Sequence, residues 1–153
     1  AMSKATNSTE FRTVDVDAYD EDNYEDDARE ANSGSQEVTE RAGEVKKLLN
    51  LTKNTDALKL ALQNPPIGHQ DASVKEQNYE TVLSVLKAFR TPEIEAAVGD
   101  LSDGDVDVLM KYLYKGFSCS PDKAAALLLW HEKVVKRGGV GCVIRVMVDR
   151  KGI

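Results

Sequence analysis

The sequence predicts an all-α protein, about seven helices in a small α-solenoid or irregular bundle, preceded by an extended acidic N-terminal arm. Apolar residues from Gln36 onward recur at helical spacing, and the breaks between the runs carry cap and proline signatures. The stretch from Ala1 to Gly34, by contrast, contains no Leu and no Ile. Its large apolar residues are Met2, Phe11, Val14, Val16, Tyr19 and Tyr24, too few to offset the entropy of ordering the backbone. The expected organisation is therefore a flexible acidic arm over residues 1–34 that orders on a partner, and a helical body over residues 35–153.

Each helix of the body has its own signal. The first is expected over residues 36–50, with Val38, Ala42, Val45 and Leu49 on one face. The second, over 55–64, carries Leu58, Leu60, Ala61 and Leu62, with Thr55 as N-cap and Pro65-Pro66 as the stop. A third, over 71–90, has an apolar stripe through Val74, Tyr79, Val82, Leu83, Val85, Leu86 and Phe89. Thr91-Pro92 reads as N-cap and first helical position of a short fourth helix through Ile94, Ala97 and Val98. Ser102 or Asp103 caps a fifth, with Val106, Leu109, Met110, Leu113 and Phe117 aligned. Ser120-Pro121 opens a sixth that ends at Gly138-Gly139. The last segment, residues 140–151, fits a strand by alternation and a helix by its Val140, Val143, Ile144, Met147 and Val148 face. A lone strand among helices has no ladder partner, so a helix is expected.

The formal charge of −6 is unevenly placed: from Glu10 to Glu40 there are 12 acidic residues and only Arg12 and Arg29 as bases, while Arg41 to Ile153 has a balance of +3. Acidity argues against a nucleic-acid partner, whose phosphates need clustered Lys and Arg. No apolar run is long enough to span a bilayer, and no charged-then-apolar signal pattern opens the chain, so no membrane insertion is expected. Two cysteines, Cys119 and Cys142, are too few for a disulfide framework and fit a reducing compartment.

Catalytic constellations fail one by one. His131-Glu132 begins like a zinc-protease motif, but the second ligand position is Val135. Asp103, Asp105 and Asp107 have calcium-loop spacing, yet Val108 and Tyr114 stand where Gly and Glu are required, so a helix N-terminus explains them better. Gly138-Gly139-Val140-Gly141 lacks the lysine of a phosphate loop and the third glycine of a dinucleotide fingerprint, and reads as a helix–helix turn. No enzyme activity, metal or cofactor is expected.

Two regions suit protein partners. In the arm, Phe11, Val14, Val16 and Tyr19 partly alternate with polar residues, giving apolar anchors among carboxylates. Fully extended, about 34 residues reach on the order of 110 Å. In the body, the run Ala124-Ala125-Ala126-Leu127-Leu128-Leu129 before Trp130 covers more than one helix face, as burial by core and partner together requires; a central core helix would look the same.

At these residues the chain resembles a known family, the smallest (16-kDa, subunit five) subunit of the actin-related protein 2/3 complex, which nucleates branched actin filaments. The likeness rests on Phe11-Arg12-Thr13-Val14-Asp15-Val16-Asp17-Ala18-Tyr19-Asp20-Glu21, on Val106-Asp107-Val108-Leu109-Met110-Lys111-Tyr112-Leu113-Tyr114-Lys115-Gly116-Phe117, and on Trp130-His131-Glu132-Lys133 with Gly138-Gly139-Val140-Gly141. Asn64-Pro65-Pro66-Ile67 and Val74-Lys75-Glu76 agree, while residues 25–40 and Cys119-Ser120-Pro121-Asp122-Lys123 depart from the pattern. The resemblance implies a non-catalytic structural subunit of a cytoplasmic hetero-oligomer associated with the cortical and lamellipodial actin cytoskeleton. It implies that the body docks on subunit four and near the β-propeller subunit one. It also implies that the arm tethers the actin-related protein 2 subunit, through the matching Phe11, Arg12, Val14, Val16, Asp17 and Tyr19. For the body, Leu128, Trp130, Ile144 and Val148 are the expected docking residues. The competing reading is a free-standing helical adaptor with an acidic protein-binding tail.

Overall fold

The computed structural model describes the chain from residue 28 onward, with side chains from Gly34. The arm residues Phe11, Arg12, Val14, Val16, Asp17 and Tyr19 lie outside the described residues. Six α-helices follow one another: α1 (Ala28–Asn50), α2 (Asn54–Leu62), α3 (Ala72–Ala88), α4 (Thr91–Gly99), α5 (Asp103–Cys119) and α6 (Ala124–Val148), with a 3-10 turn at Pro121–Lys123 before the last. Non-helical backbone at Gly139 divides α6 into two limbs, which accounts for the seventh segment expected from the sequence. Among the described residues there is no strand.

Punctuation sets most boundaries, though not always through the residue expected. α1 begins at Ala28, earlier than apolar periodicity indicates, since residues 28–35 carry no apolar stripe in the sequence. Its C-terminus closes on Thr52, a β-branched residue at φ 57, with the Lys53 N–H donating to the Leu48 carbonyl at 3.0 Å. Thr55 is not the N-cap of α2; it sits within the first turn, and Lys53 holds the flanking position with no side-chain cap. Thr91 likewise is already helical: Arg90 flanks α4, and Glu93 reaches back to accept from the Arg90 N–H at 3.2 Å. The start of α5 follows expectation, with a reciprocal box in which Ser102 Oγ accepts from the Asp105 N–H (3.2 Å) and Asp105 Oδ2 accepts from the Ser102 N–H (3.3 Å).

The helices share one core. α1, α2 and α3 pack on one another, α2 also meets α5, and α6 lies against α5 and α4. Leu58, Leu62, Val82, Val85, Leu109, Met110, Leu113 and Val134 are fully buried there. Trp130 is its largest side chain: its indole N–H donates to the Leu86 carbonyl at 3.3 Å, and its ring meets Phe89 edge-on with centroids 5.2 Å apart. Phe89 reaches this position because the chain leaves α3 at Ala88 in extended conformation, short of the expected end at residue 90.

One polar network crosses the core. Arg41 of α1 donates from Nη1 to Asn78 Oδ1 at 3.2 Å, and Asn78 of α3 donates from Nδ2 to the Tyr112 hydroxyl of α5. Burial holds the Arg41 guanidinium below its ordinary value and pushes the Tyr112 phenol up to about 12. No described buried side-chain nitrogen or oxygen is left without a partner, so the network is satisfied.

Two outcomes follow. Trp130→Ala removes the centrepiece of the core and should destabilise the chain by about 3–5 kcal/mol in urea unfolding, because the cavity collapses only partly. Tyr112 favours its neutral form in the fold, so the native state keeps a proton that the unfolded chain loses. Its contribution is therefore complete below about pH 10 and lost as pH rises toward 12, an effect of about 2–3 kcal/mol. Tyr112→Phe should flatten that segment of a stability-versus-pH curve; an equally steep fall in the variant would assign it to other groups.

Candidate interaction surface

The surface of interest is built by α6, and its geometry starts at two glycines. Gly139 has φ 70 and ψ −175, a conformation that L side chains rarely adopt. A Cβ on Gly138 would stand 2.9 Å from Val106 Cγ1 and 3.1 Å from Cys142 Sγ, so glycine there permits close approach to α5. The pair bends the helix at the point where sequence alone placed a turn.

The first limb faces two ways. Leu127, Trp130 and Val134 point into the core, whereas Leu128 is 56% exposed and Leu129 42%. The long apolar run therefore serves core and surface at once. Trp130 is 1% exposed, which corrects its expected place on the docking face: a ring held by Leu86 and Phe89 cannot also meet a partner. Leu128 does lie outward, as expected.

The second limb, residues 140–148, is asymmetric too. Cys142 is buried, and half-buried Val143 and Val146 pack on the core. On the other side Val140, Ile144, Met147 and Val148 follow helical spacing and are 66%, 56%, 63% and 69% exposed. These form an apolar ribbon with no cover among the described residues. The limb itself is firmly placed. Arg145 donates to both carboxylate oxygens of Asp107 at 2.8 Å, Arg137 meets Asp103 at 3.2 Å, and Lys111 pairs with Asp149 just beyond the helix. The bidentate contact raises the Arg145 pKa, and the Lys111 ammonium with the Lys151 N–H lowers that of Asp149. Val140, Met147 and Leu129 were missing from the expected docking residues. The signal for the first two was present in the helical face read from the sequence, but Val143 of that same face turned inward, and periodicity alone does not say which edge is covered.

The motifs dismissed for catalysis have structural roles. His131 Nε2 lies 3.3 Å from the Tyr114 hydroxyl, with Tyr114 and Phe117 edge-on around the imidazole. Asp105 caps α5, while Asp103 and Asp107 pair with the two arginines of α6. Cys142 is buried and Cys119 exposed, both as free thiols. Among the described residues, no group of three or more His, Cys, Asp or Glu side chains is placed to share a metal ion. No described helix is long and apolar enough to cross a membrane.

Comparison with known proteins identifies the family of the chain. Residues 10–153 match the family described as "ARP2/3 complex 16 kDa subunit (p16-Arc)". Among curated proteins, "Actin-related protein 2/3 complex subunit 5-C" of Xenopus laevis is 44% identical, over 99% of this chain and 100% of its own length. The human "Actin-related protein 2/3 complex subunit 5-like protein" is 40% identical over the same shares. "Actin-related protein 2/3 complex subunit 5" of Dictyostelium discoideum is 37% identical over 86% of this chain and 99% of its own. The chain belongs to the family of the 16-kDa subunit of the actin-related protein 2/3 complex, a structural and non-catalytic component of that assembly.

Proposed function

We propose that the helical body docks on the core of the complex through the outward ribbon of α6, and that the acidic arm tethers the actin-related protein 2 subunit. One observation carries the reading for the body: Val140, Ile144, Met147 and Val148 stand open to solvent on a limb whose inner side is packed and whose flank is ion-paired. A clustered apolar face on a small soluble chain marks a protein–protein contact. Leu128 and Leu129 extend the apolar surface onto the first limb. Subunit four, with the β-propeller subunit one nearby, is the neighbour we assign to this face. In the arm, Phe11, Val14, Val16 and Tyr19 are the anchors, with Arg12, Asp17 and neighbouring carboxylates fixing register on the actin-related surface. The chain thus supports nucleation of branched filaments as a brace between the core and one actin-related subunit, and adds no chemistry of its own.

The two halves separate experimentally. Ile144→Glu with Met147→Glu alters only exposed positions, so the isolated chain should keep its unfolding midpoint. Its affinity for the remaining subunits should fall by about 3–6 kcal/mol, on the order of a hundredfold or more. Retention at wild-type stoichiometry in the reconstituted complex would refute this face. Replacing Phe11, Val14, Val16 and Tyr19 together with Ser should leave the body in the complex but lower occupancy of the actin-related protein 2 subunit and slow nucleation. Unchanged occupancy and nucleation would remove the arm from the proposal.

A further inference from the structure

We infer that Ser120 is a phosphorylation site for a proline-directed serine/threonine kinase that also reads a base three residues downstream. This inference is independent of the docking reading. The segment Ser120-Pro121-Asp122-Lys123 puts proline directly after the hydroxyl and lysine at the third following position. Substrate selection by charge and shape around the acceptor is how such kinases discriminate. The segment lies where a kinase can reach it. Ser120 follows the last residue of α5 with φ −141 and ψ 70, outside helical geometry; it and Lys123 are half-buried, while their neighbours Ser118, Cys119, Pro121 and Asp122 are exposed. The second Ser/Thr-Pro pair of the chain, Thr91-Pro92, is an internal contrast. Thr91 is already within α4, and the third following position is Ile94, which is apolar and buried.

The Tyr79 hydroxyl lies 3.4 Å from Ser120 Oγ, aimed as a donor, and the Lys115 ammonium stands 5.3 Å from the centroid of the same ring. Lys123 closes the 3-10 turn that leads into α6, whose N-terminal end carries partial positive charge. Two carboxylates oppose these groups, exposed Asp122 on the turn and Glu76, which is 3.8 Å from Lys115 Nζ. A phosphate dianion here meets one hydroxyl donor and the N-terminal side of α6, but it also stands at the C-terminal end of α5, which Ser120 caps, and beside Asp122, so its charge should shift the balance at this corner. In the transfer step, Ser120 Oγ forms a bond to the γ-phosphorus of ATP as the bond to the β–γ bridging oxygen breaks. ADP leaves, and the hydroxyl proton passes to the catalytic carboxylate of the kinase.

The test uses the full chain, free and in the reconstituted complex, incubated with a purified proline-directed kinase and ATP, with intact mass and peptide mapping as readouts. The expected result is one added phosphoryl group, mapped to Ser120. It should be lost in Ser120→Ala, reduced in Pro121→Ala and Lys123→Ala, and kept in Thr91→Ala. Phosphate on Thr91 alone, or none on Ser120 in either form of the protein, overturns the inference. A peptide of residues 116–126 run in parallel then assigns the fault: labelling of the peptide blames the fold around the corner, and no labelling blames the motif.

Discussion

Trp130 is the side chain on which the arrangement of α6 depends. Once its indole is seated beneath α3, bonded to the Leu86 carbonyl and braced by Phe89, the rotation of the first limb is settled. Leu127 and Val134 then fall on the inner side, three and four residues away, and Leu128 and Leu129 must face out. Straight continuation of that helix would carry residues 140–148 along the same axis. The bend at Gly139 instead lets the second limb lie on α5, where Arg145 meets Asp107 and Cys142 reaches the core. The exposed ribbon is thus a by-product of how the core is filled.

The network of Arg41, Asn78 and Tyr112 solves a different problem. α1 contributes few core residues, chiefly Val38 and Val45, so apolar packing specifies its register weakly. A guanidinium bonded to an amide that is itself bonded to a phenol admits few alternatives, because a shift of one helical residue would leave Asn78, which is fully buried, with unmet hydrogen bonds. Three helices far apart in sequence are tied at one point by groups that are costly to leave unpaired. Arg41 is also the first residue beyond the acidic region, so the positive end of the network sits where the charge balance of the chain changes sign.

Much of this was legible in the sequence, and the failures have definite causes. Helix existence and order followed from apolar spacing, and Ser102 with Asp105 formed the reciprocal cap that its residue types allow. Thr55 and Thr91 misled because a capping residue type is a preference: at α4 a carboxylate three residues beyond Arg90 did the capping work instead. Residues 28–35 of α1 carried no apolar stripe, so periodicity had nothing to detect. At the candidate surface the sequence grouped Leu128, Trp130, Ile144 and Val148 as docking residues, and the structure turns Leu128, Ile144 and Val148 outward but Trp130 inward. Aromatic residues occur both in cores and at interfaces, and only the position of Leu86 and Phe89 distinguishes the two for Trp130. Nor could the sequence show that Asp107 would be drawn to Arg145, since that pairing requires the bend at Gly139.

The same bend bears on why the ribbon is tolerated. A long apolar face on a free, mobile helix invites self-association, whereas this limb is fixed by Arg145 on its polar flank, by the Lys111–Asp149 pair at its end and by Cys142 beneath. Fixing the limb in advance spares a partner the entropy of ordering it, so apolar area buried on docking translates more fully into affinity. The charged flank also restricts how a neighbour can approach, because covering Arg145 and Asp107 would desolvate an ion pair already satisfied within the chain. Apolar contact on one side and a closed ionic seam on the other give the face a direction.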